Sequence, residues 1–275
     1  MTDHYAVVGN PVAHSKSPEI HAAFARQTGH DVEYRKLLAP LDGFRSAVET
    51  FRASGGRGVN VTVPFKLEAY DFADEVSQRA RDAEAANCLR FDGQRVHADN
   101  TDGVGLIRDI VHNLGVALAG KRILLLGAGG AAQGVIAPLL EYEPAILTIA
   151  NRTVDKALKL AEMFRRKPAA AASVLSGLSY GDLAGHHFDV VINATSTSLQ
   201  GGMPPLPAEA LAAGSLAYDM MYGVAPTPFL AFAQAKGARV ADGLGMLVEQ
   251  AAESFLLWRG VRPQTAPVIA LLRGK

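Results

Sequence analysis

Lys121–Gly134 reads KRILLLGAGGAAQG, and Ile123 to Leu126 within it form an apolar run with no polar break. A run of that kind, bounded by glycine, predicts a parallel strand buried on both faces. The turn after it matches G-x-G-x-x-A, with Gly127, Gly129 and Ala132 at the small-residue positions. The first small residue permits a tight turn, and the second lets backbone approach a pyrophosphate. The third lets the next helix pack close to the strand. That helix would direct its free N–H groups and positive dipole end at phosphates. A dinucleotide site at this turn is therefore expected.

Downstream, Ala145–Ala150 reads as the second strand of a β-α-β unit and ends in Asn151-Arg152-Thr153. Folds that bind NAD carry an acid at this strand end for the ribose hydroxyls. No acid stands here. Arg152 offers a planar cation suited to a 2′-phosphate, and Lys156 adds a charge one turn on, so the pattern favours NADP. A helix over Val154–Phe164 and a weak strand near Ser173–Leu175 follow. Buried strands over Asp189–Ile192 and Leu216–Tyr218 end in Asn193-Ala194-Thr195-Ser196 and Asp219-Met220-Met221-Tyr222. Thr227 and Pro228 signal a helix that stops at Gly237, and Val240 closes the repeat. This alternation predicts a doubly wound parallel sheet. Gly134 and Pro138 should bend or shorten the helix after the glycine turn. Asp242-Gly243-Leu244-Gly245 opens a long helix, Met246–Trp258, on which Gln250 reads as an exposed residue without a role. Pro263 and Pro267 break the chain before a last short helix.

The first half has no nucleotide motif. Tyr5–Val8 and Val32–Leu38 read as strands, and Leu41–Ala53 as a helix with Phe44, Val48 and Phe51 on one face. Ser17 suits the N-cap of a helix with Pro18 at its first position and Gly29 at its stop. Ser15 has no such structural role, and two hydroxyls at a helix mouth can jointly hold a small carboxylate. In Gly58–Lys66, Val59, Val61 and Val63 alternate with Asn60 and Thr62, which predicts a strand apolar on one face. Pro64 ends it and leaves Lys66 beyond its C-terminal end, where open α/β sheets bind ligands. Leu67–Ala86 reads as mostly helical. A hairpin on Asp92-Gly93 follows, then the polar cluster Asp99-Asn100-Thr101-Asp102-Gly103 before a helix from near Val104. Capping is only one reading of Asp102, and not the favoured one.

Composition narrows the class. Of 275 residues 49% are hydrophobic and 20% charged, enough for a sizeable core. The 27 basic and 27 acidic residues balance and are interspersed, so no footprint for nucleic acid or a membrane surface is expected. No run approaches the ~18 apolar residues of a spanning helix, and the N-terminus lacks the pattern of a signal peptide. The single cysteine, Cys88, reads as a small buried apolar residue and fits a reducing compartment. A soluble cytoplasmic protein is expected, without a metal: the histidines show no ligand spacing.

Taken together, eight segments resemble the shikimate dehydrogenase family over essentially the whole chain. They are GNPVAHSKSP (9–18), NVTVPFK (60–66), DNTDG (99–103), GAGGAAQG (127–134), NRT (151–153), NATS (193–196), YDMMY (218–222) and DGLGML (242–247). The resemblance implies an α/β chain of two domains. Residues 1–102, completed by C-terminal helices 243–275, would bind substrate. Residues 103–242 would form a Rossmann-type NADP domain, with the active-site cleft between the two. The implied activity is reversible NADPH-dependent reduction of 3-dehydroshikimate to shikimate. Ser15, Ser17 and Tyr222 would hold the substrate carboxylate, and Thr62, Asn87, Asp102 and Gln250 the ring hydroxyls. Lys66 and Asp102 would be the catalytic pair. Gly127, Ala128, Gly129, Gly130 and Ala131 would hold the pyrophosphate. Asn151, Arg152, Thr153 and Lys156 would hold the adenosine 2′-phosphate, and Thr195, Met220 and Gly243 would line the nicotinamide. A monomer or homodimer acting on a small molecule is implied. Two alternatives are a quinate/shikimate dehydrogenase with relaxed substrate or cofactor choice, and a catalytically silent NADP-binding sensor. The chain departs from the family's usual residues at Glu84 (Gly), Cys88 (Thr) and Ser198 (Gly).

Overall fold

Six short strands in the first hundred residues build one sheet: β1 (Asp3–Gly9), β2 (Val32–Leu38), β3 (Gly56–Val61), β4 (Glu75–Val76), β5 (Cys88–Asp92) and β6 (Arg95–Asp99). The computed structural model that shows them describes residues 2–166 and 174–274, without the side chains of Leu199 and Gln200. The strand order is β2-β1-β3-β5-β6-β4. β1 runs parallel to β2 and β3, whereas β5 is antiparallel to β3 and β6. Apolar residues of β1 and β3 (Ala6, Val8, Val59, Val61) pack with Phe44, Val48, Phe51 and Phe65. A second cluster joins Ile20 and Phe24 of the first helix, Ser17–Thr28, to Val248, Ala251 and Phe255 of the long C-terminal helix, Leu244–Arg259.

Several local expectations change here. The segment expected to be mostly helical, Leu67–Ala86, is two helices, Lys66–Phe72 and Gln78–Ala83, separated by β4. Polar residues make the break. Asp74 accepts the Val96 N–H at 2.7 Å, and Ser77 restarts the helix by accepting the Ala80 N–H at 3.1 Å. β3 stops at Val61, so Val63 lies outside it and is 55% exposed rather than on an apolar face. Ser17 does not cap its helix; it is the first helical residue, and its own N–H is received by Ser15 Oγ at 3.3 Å. Pro267 sits in the first turn of the last helix, Ala266–Leu272, instead of preceding it. The hairpin on Asp92-Gly93 forms as read.

Residues Leu106–Met246 form a separate compact unit; Met1–Gly105 and Leu247–Lys275 form the other. The second unit contains β7 (Arg122–Leu126), β8 (Ile146–Ala150), β9 (Leu175–Leu178), β10 (Phe188–Asn193), β11 (Leu211–Asp219) and β12 (Arg239–Asp242). All pair in parallel, in the order β12-β11-β10-β7-β8-β9. This is the doubly wound order with its reversal between β7 and β10. Ile123 to Leu126 are fully buried, as an apolar run in a central parallel strand requires. Of the weak strand expected near Ser173–Leu175, Ser173 lies outside the described residues and β9 begins at Leu175. The helix after the glycine turn, Gly130–Leu140, runs through Gly134 and ends two residues past Pro138. The helix expected from near Val104 begins at Asp102 and continues beyond Arg108 as a π-turn, Asp109–Asn113. No helix among the described residues is long and apolar enough to cross a membrane.

Glu84 ends the helix Gln78–Ala83 in the left-handed region, with φ +46°. That conformation favours glycine, because a side chain there meets the following carbonyl. Glu84→Gly should therefore raise the unfolding free energy by roughly 1 kcal/mol, measured by urea denaturation. A loss of stability would show that the Glu84 side chain contributes more than its backbone strain costs.

Candidate active site

Lys66 opens its helix immediately after the turn that ends β3. Its Nζ donates to Asp102 Oδ2 at 2.6 Å, with the two side chains 16% and 8% exposed. Asp102 is the first residue of the helix Asp102–Arg108, yet its carboxylate is engaged by other side chains. Its Oδ1 accepts from Asn87 Nδ2 at 2.9 Å, while its N–H is received by Asn100 Oδ1 at 3.1 Å. Both carboxylate oxygens thus have donors, and the ammonium meets a carboxylate already held in place.

Asn87 is the hub of this arrangement. Its Oδ1 accepts the Thr101 N–H at 2.7 Å, which settles the amide orientation, and its Nδ2 also donates to Thr101 Oγ1 at 3.0 Å. A longer contact of 3.3 Å reaches Gln250 Oε1. Gln250 is therefore buried, contrary to the reading from helical periodicity; its Nε2 donates to the Leu247 carbonyl at 2.8 Å. The helix face carrying it is covered by Asn87 and Thr101, so its polarity did not mark solvent.

Beneath this group lies a buried network that sequence reasoning missed. Asn60 Nδ2 donates to Ser254 Oγ at 2.8 Å, and its Oδ1 accepts from the Tyr34 hydroxyl at 2.8 Å. The available signal was Asn60 inside a strand of valines, a polar residue where a solvated face was expected. His21 stacks on Tyr34 with ring centroids 4.2 Å apart and an interplanar angle of 4°. Phe24, Phe255 and Trp258 surround it. It is fully buried, and neither ring nitrogen has a hydrogen-bond partner. Burial pushes its pKa down to about 3, against a smaller opposing effect of Asn60.

Ser15 and Ser17 come together as expected, with Ser15 Oγ donating to Ser17 Oγ at 3.1 Å. Thr62 is half-buried. Gly9 makes room for it, since a Cβ on Gly9 would lie 2.4 Å from Thr62 Cγ2. Cys88 is buried, and burial raises its thiol pKa far above the usual range, so it is no nucleophile.

In the second unit Gly127 has φ +109°, and its N–H donates to the Ala150 carbonyl at 2.8 Å. A Cβ there would sit 3.1 Å from Thr195 Cγ2, which places Thr195 at the switch point between β7 and β10. Gly129 is extended, and a Cβ on it would meet nothing within 4 Å, so its backbone is open to approach. Gly130 begins the helix, Ala128 and Ala131 pack against the core, and Ala132 is fully buried. At the end of β8, Asn151 Nδ2 braces the Thr153 carbonyl at 2.9 Å. Arg152, Thr153 and Lys156 are exposed. Met220 donates its N–H to the Asn193 carbonyl at 2.9 Å, and Gly243 donates to the Met221 carbonyl at 3.1 Å. A Cβ on Gly243 would lie 2.2 Å from the Met220 carbonyl oxygen, so only glycine fits. Tyr222 is half-buried on the loop after β11. Among the described residues no cluster of His, Cys, Asp and Glu that could hold a metal is found.

A doubly wound parallel sheet with an open glycine turn at its switch point marks the class of dinucleotide-dependent oxidoreductases. Family profiles sharpen this. The shikimate dehydrogenase substrate binding domain matches residues 7–89, shikimate / quinate 5-dehydrogenase matches 109–200, and the shikimate 5′-dehydrogenase C-terminal domain matches 243–273. A curated shikimate dehydrogenase (NADP(+)) from Nitrosospira multiformis is 61% identical over 274 residues, covering 99% of this chain and 98% of that one. One from Aromatoleum aromaticum is 62% identical over 272 residues, covering 98% and 97%. The crystal structure of shikimate 5-dehydrogenase from Thermus thermophilus in complex with NADP(H) and shikimate superposes with a TM-score of 0.87 at 33% identity, covering 99% of each chain. The chain belongs to the shikimate dehydrogenase family.

His21 also makes stability depend on pH. The folded pKa of about 3 lies below the ordinary 6.5, so the unfolded chain binds more protons between these values. Stability from this residue is complete above pH 6.5 and falls, on the order of 1.4 kcal/mol per unit, as pH drops toward 3. His21→Phe should flatten the pH dependence of the urea midpoint in that window; an unchanged slope would exclude His21 as its source.

Proposed function

We propose that this chain catalyses the reversible, NADPH-dependent reduction of 3-dehydroshikimate to shikimate. The observation that carries the reading is the Lys66 Nζ–Asp102 Oδ2 contact of 2.6 Å, with Asn87 holding the second carboxylate oxygen. Reducing a ring ketone to an alcohol requires a hydride at carbon and a proton at oxygen. NADPH, when bound, supplies the hydride. The ketone oxygen becomes alkoxide-like, and the Lys66 ammonium stabilises that charge and donates the proton. Asp102 keeps the ammonium in place and orients a ring hydroxyl. In the oxidative direction Lys66 takes the proton back.

Ser15, Ser17 and Tyr222 hold the substrate carboxylate in this proposal, and Thr62, Asn87, Asp102 and Gln250 hold its hydroxyls. Gly127 to Ala131 receive the pyrophosphate, a role supported by the open space over Gly129. Asn151, Arg152, Thr153 and Lys156 receive the 2′-phosphate. Neither Arg152 nor Lys156 has an ion-pair partner among the described residues, which leaves both charges available for it. Thr195, Met220 and Gly243 line the nicotinamide. A sensor without catalysis would need no ammonium held against a carboxylate, so the pair favours the enzyme. A cytoplasmic location belongs to the same proposal, supported by the lone, buried Cys88.

Shikimate-driven NADPH formation tests the reading directly. Lys66→Ala should lower kcat by about 10²–10⁴-fold, the range for one acid–base group. Unchanged turnover would sink the assignment, and equal rates with quinate would transfer it to the relaxed-specificity enzyme. Arg152→Ala should raise KM for NADP by about 10- to 100-fold, the loss of a charge-assisted contact, with little change for NAD. An equal effect on both cofactors would remove its proposed role.

A further inference from the structure

We infer that Ser198, together with the backbone N–H of Thr195, fixes the hydrogen-bonding polarity of Thr195, so that the Thr195 oxygen acts as an acceptor for the amide N–H of the nicotinamide carboxamide. The inference rests on the proposed placement of Thr195 beside the nicotinamide. It concerns which half of the carboxamide this chain selects, and which residue makes the selection.

Two fixed ends determine the direction of every bond between them. At one end the carboxylate of Asp219, fully buried, collects three donors. Its Oδ1 accepts the Met221 N–H at 3.0 Å, and its Oδ2 accepts the Thr227 hydroxyl at 2.6 Å and the Ser198 hydroxyl at 2.8 Å. Thr227 Oγ1 itself accepts the Leu230 N–H at 3.3 Å, which leaves its proton for Asp219. The Ser198 proton is thereby committed, and its oxygen accepts from Asn193 Nδ2 at 3.2 Å. At the other end the backbone N–H of Thr195 can only donate, and it meets Asn193 Oδ1 at 3.1 Å. Both ends therefore demand the same orientation of the buried Asn193 amide.

With that orientation Asn193 Oδ1 also takes the Thr195 hydroxyl proton at 2.7 Å. The hydroxyl has a single proton, now committed, so Thr195 Oγ1 offers a ligand only lone pairs. A carboxamide presents one acceptor and one N–H₂ donor, and an acceptor-only oxygen selects the donor. Ser198 is thus a positioning residue, separated from the ligand by Asn193 and Thr195. Without its hydroxyl Asn193 Nδ2 loses its acceptor, and only the Thr195 N–H still biases the amide.

The test compares NADP with its analogue in which an acetyl group replaces the carboxamide, exchanging the N–H₂ donor for a methyl. Steady-state KM values at saturating shikimate, and equilibrium Kd values from quenching of protein fluorescence without shikimate, are measured for the wild type, Ser198→Ala and Thr195→Val, and each Kd should move with its KM. Ser198→Ala should raise KM for NADP by about three- to tenfold, the range for one neutral hydrogen bond. It should leave KM for the analogue, and KM for shikimate, within twofold. An equal rise for NADP and analogue, or a rise for neither, overturns the relay. If Thr195→Val raises KM for NADP but Ser198→Ala does not, the relay alone fails. If Thr195→Val leaves KM for NADP unchanged, the placement of Thr195 beside the nicotinamide fails and the relay with it.

Discussion

The side-chain amide of Asn87 must satisfy two N–H groups and a carbonyl while only 3% exposed. Leaving any of them unpaired would cost on the order of 1–3 kcal/mol. The partners that satisfy them come from Thr101 and Asp102 at the start of one helix and from Gln250 on another. The backbone of the same residue is equally committed: its N–H donates to the Asp99 carbonyl, and its carbonyl accepts the Val61 N–H at 2.8 Å. One residue therefore locks the end of β3, the end of β6 and the C-terminal helix into a single arrangement. The Lys66–Asp102 pair depends on that lock, because a carboxylate with one oxygen already held has a defined direction for the other.

The second unit reaches its order through backbone proximity. Gly243 sits where the Met220 carbonyl leaves no space for a side chain, and Gly127 holds φ +109° close against Thr195. Buried carboxylates and amides then fix the strand ends. Asp219 gathers the loop after β10, the loop after β11 and the helix Pro228–Ala235 through Ser198, Met221 and Thr227.

Much of this was legible in the residues. The run Ile123–Leu126, the glycine turn and the cation at Arg152 each follow from a short-range rule: periodicity, φ > 0, charge at a strand end. Lys66 was placed correctly because proline and the end of a valine alternation bracket it. The failures share one cause. Ser17 has the right chemistry for a cap, but Ser15 takes the bond and Ser17 is the helix's first residue. Gln250 looks solvated by helical pattern, yet Asn87, 163 positions away, covers it. Asn60 looked like a polar strand face until Ser254, 194 positions away, met it. Asp74 and Ser77 broke a charged stretch that reads as continuous helix.

The residues by themselves determined the parallel strand, the turn, the cofactor's preferred phosphate and the lysine's position at a strand end, because these depend on neighbours within one or two turns of chain. Resemblance between motifs extended this to the family. Tertiary structure alone decided that Lys66 meets Asp102 across 36 positions of sequence, that Gln250 is buried, and that Thr195 has no proton left to give. The physical reason is that burial and hydrogen-bond direction are set by whichever groups arrive from distant segments, and each of those groups has a fixed number of protons and lone pairs.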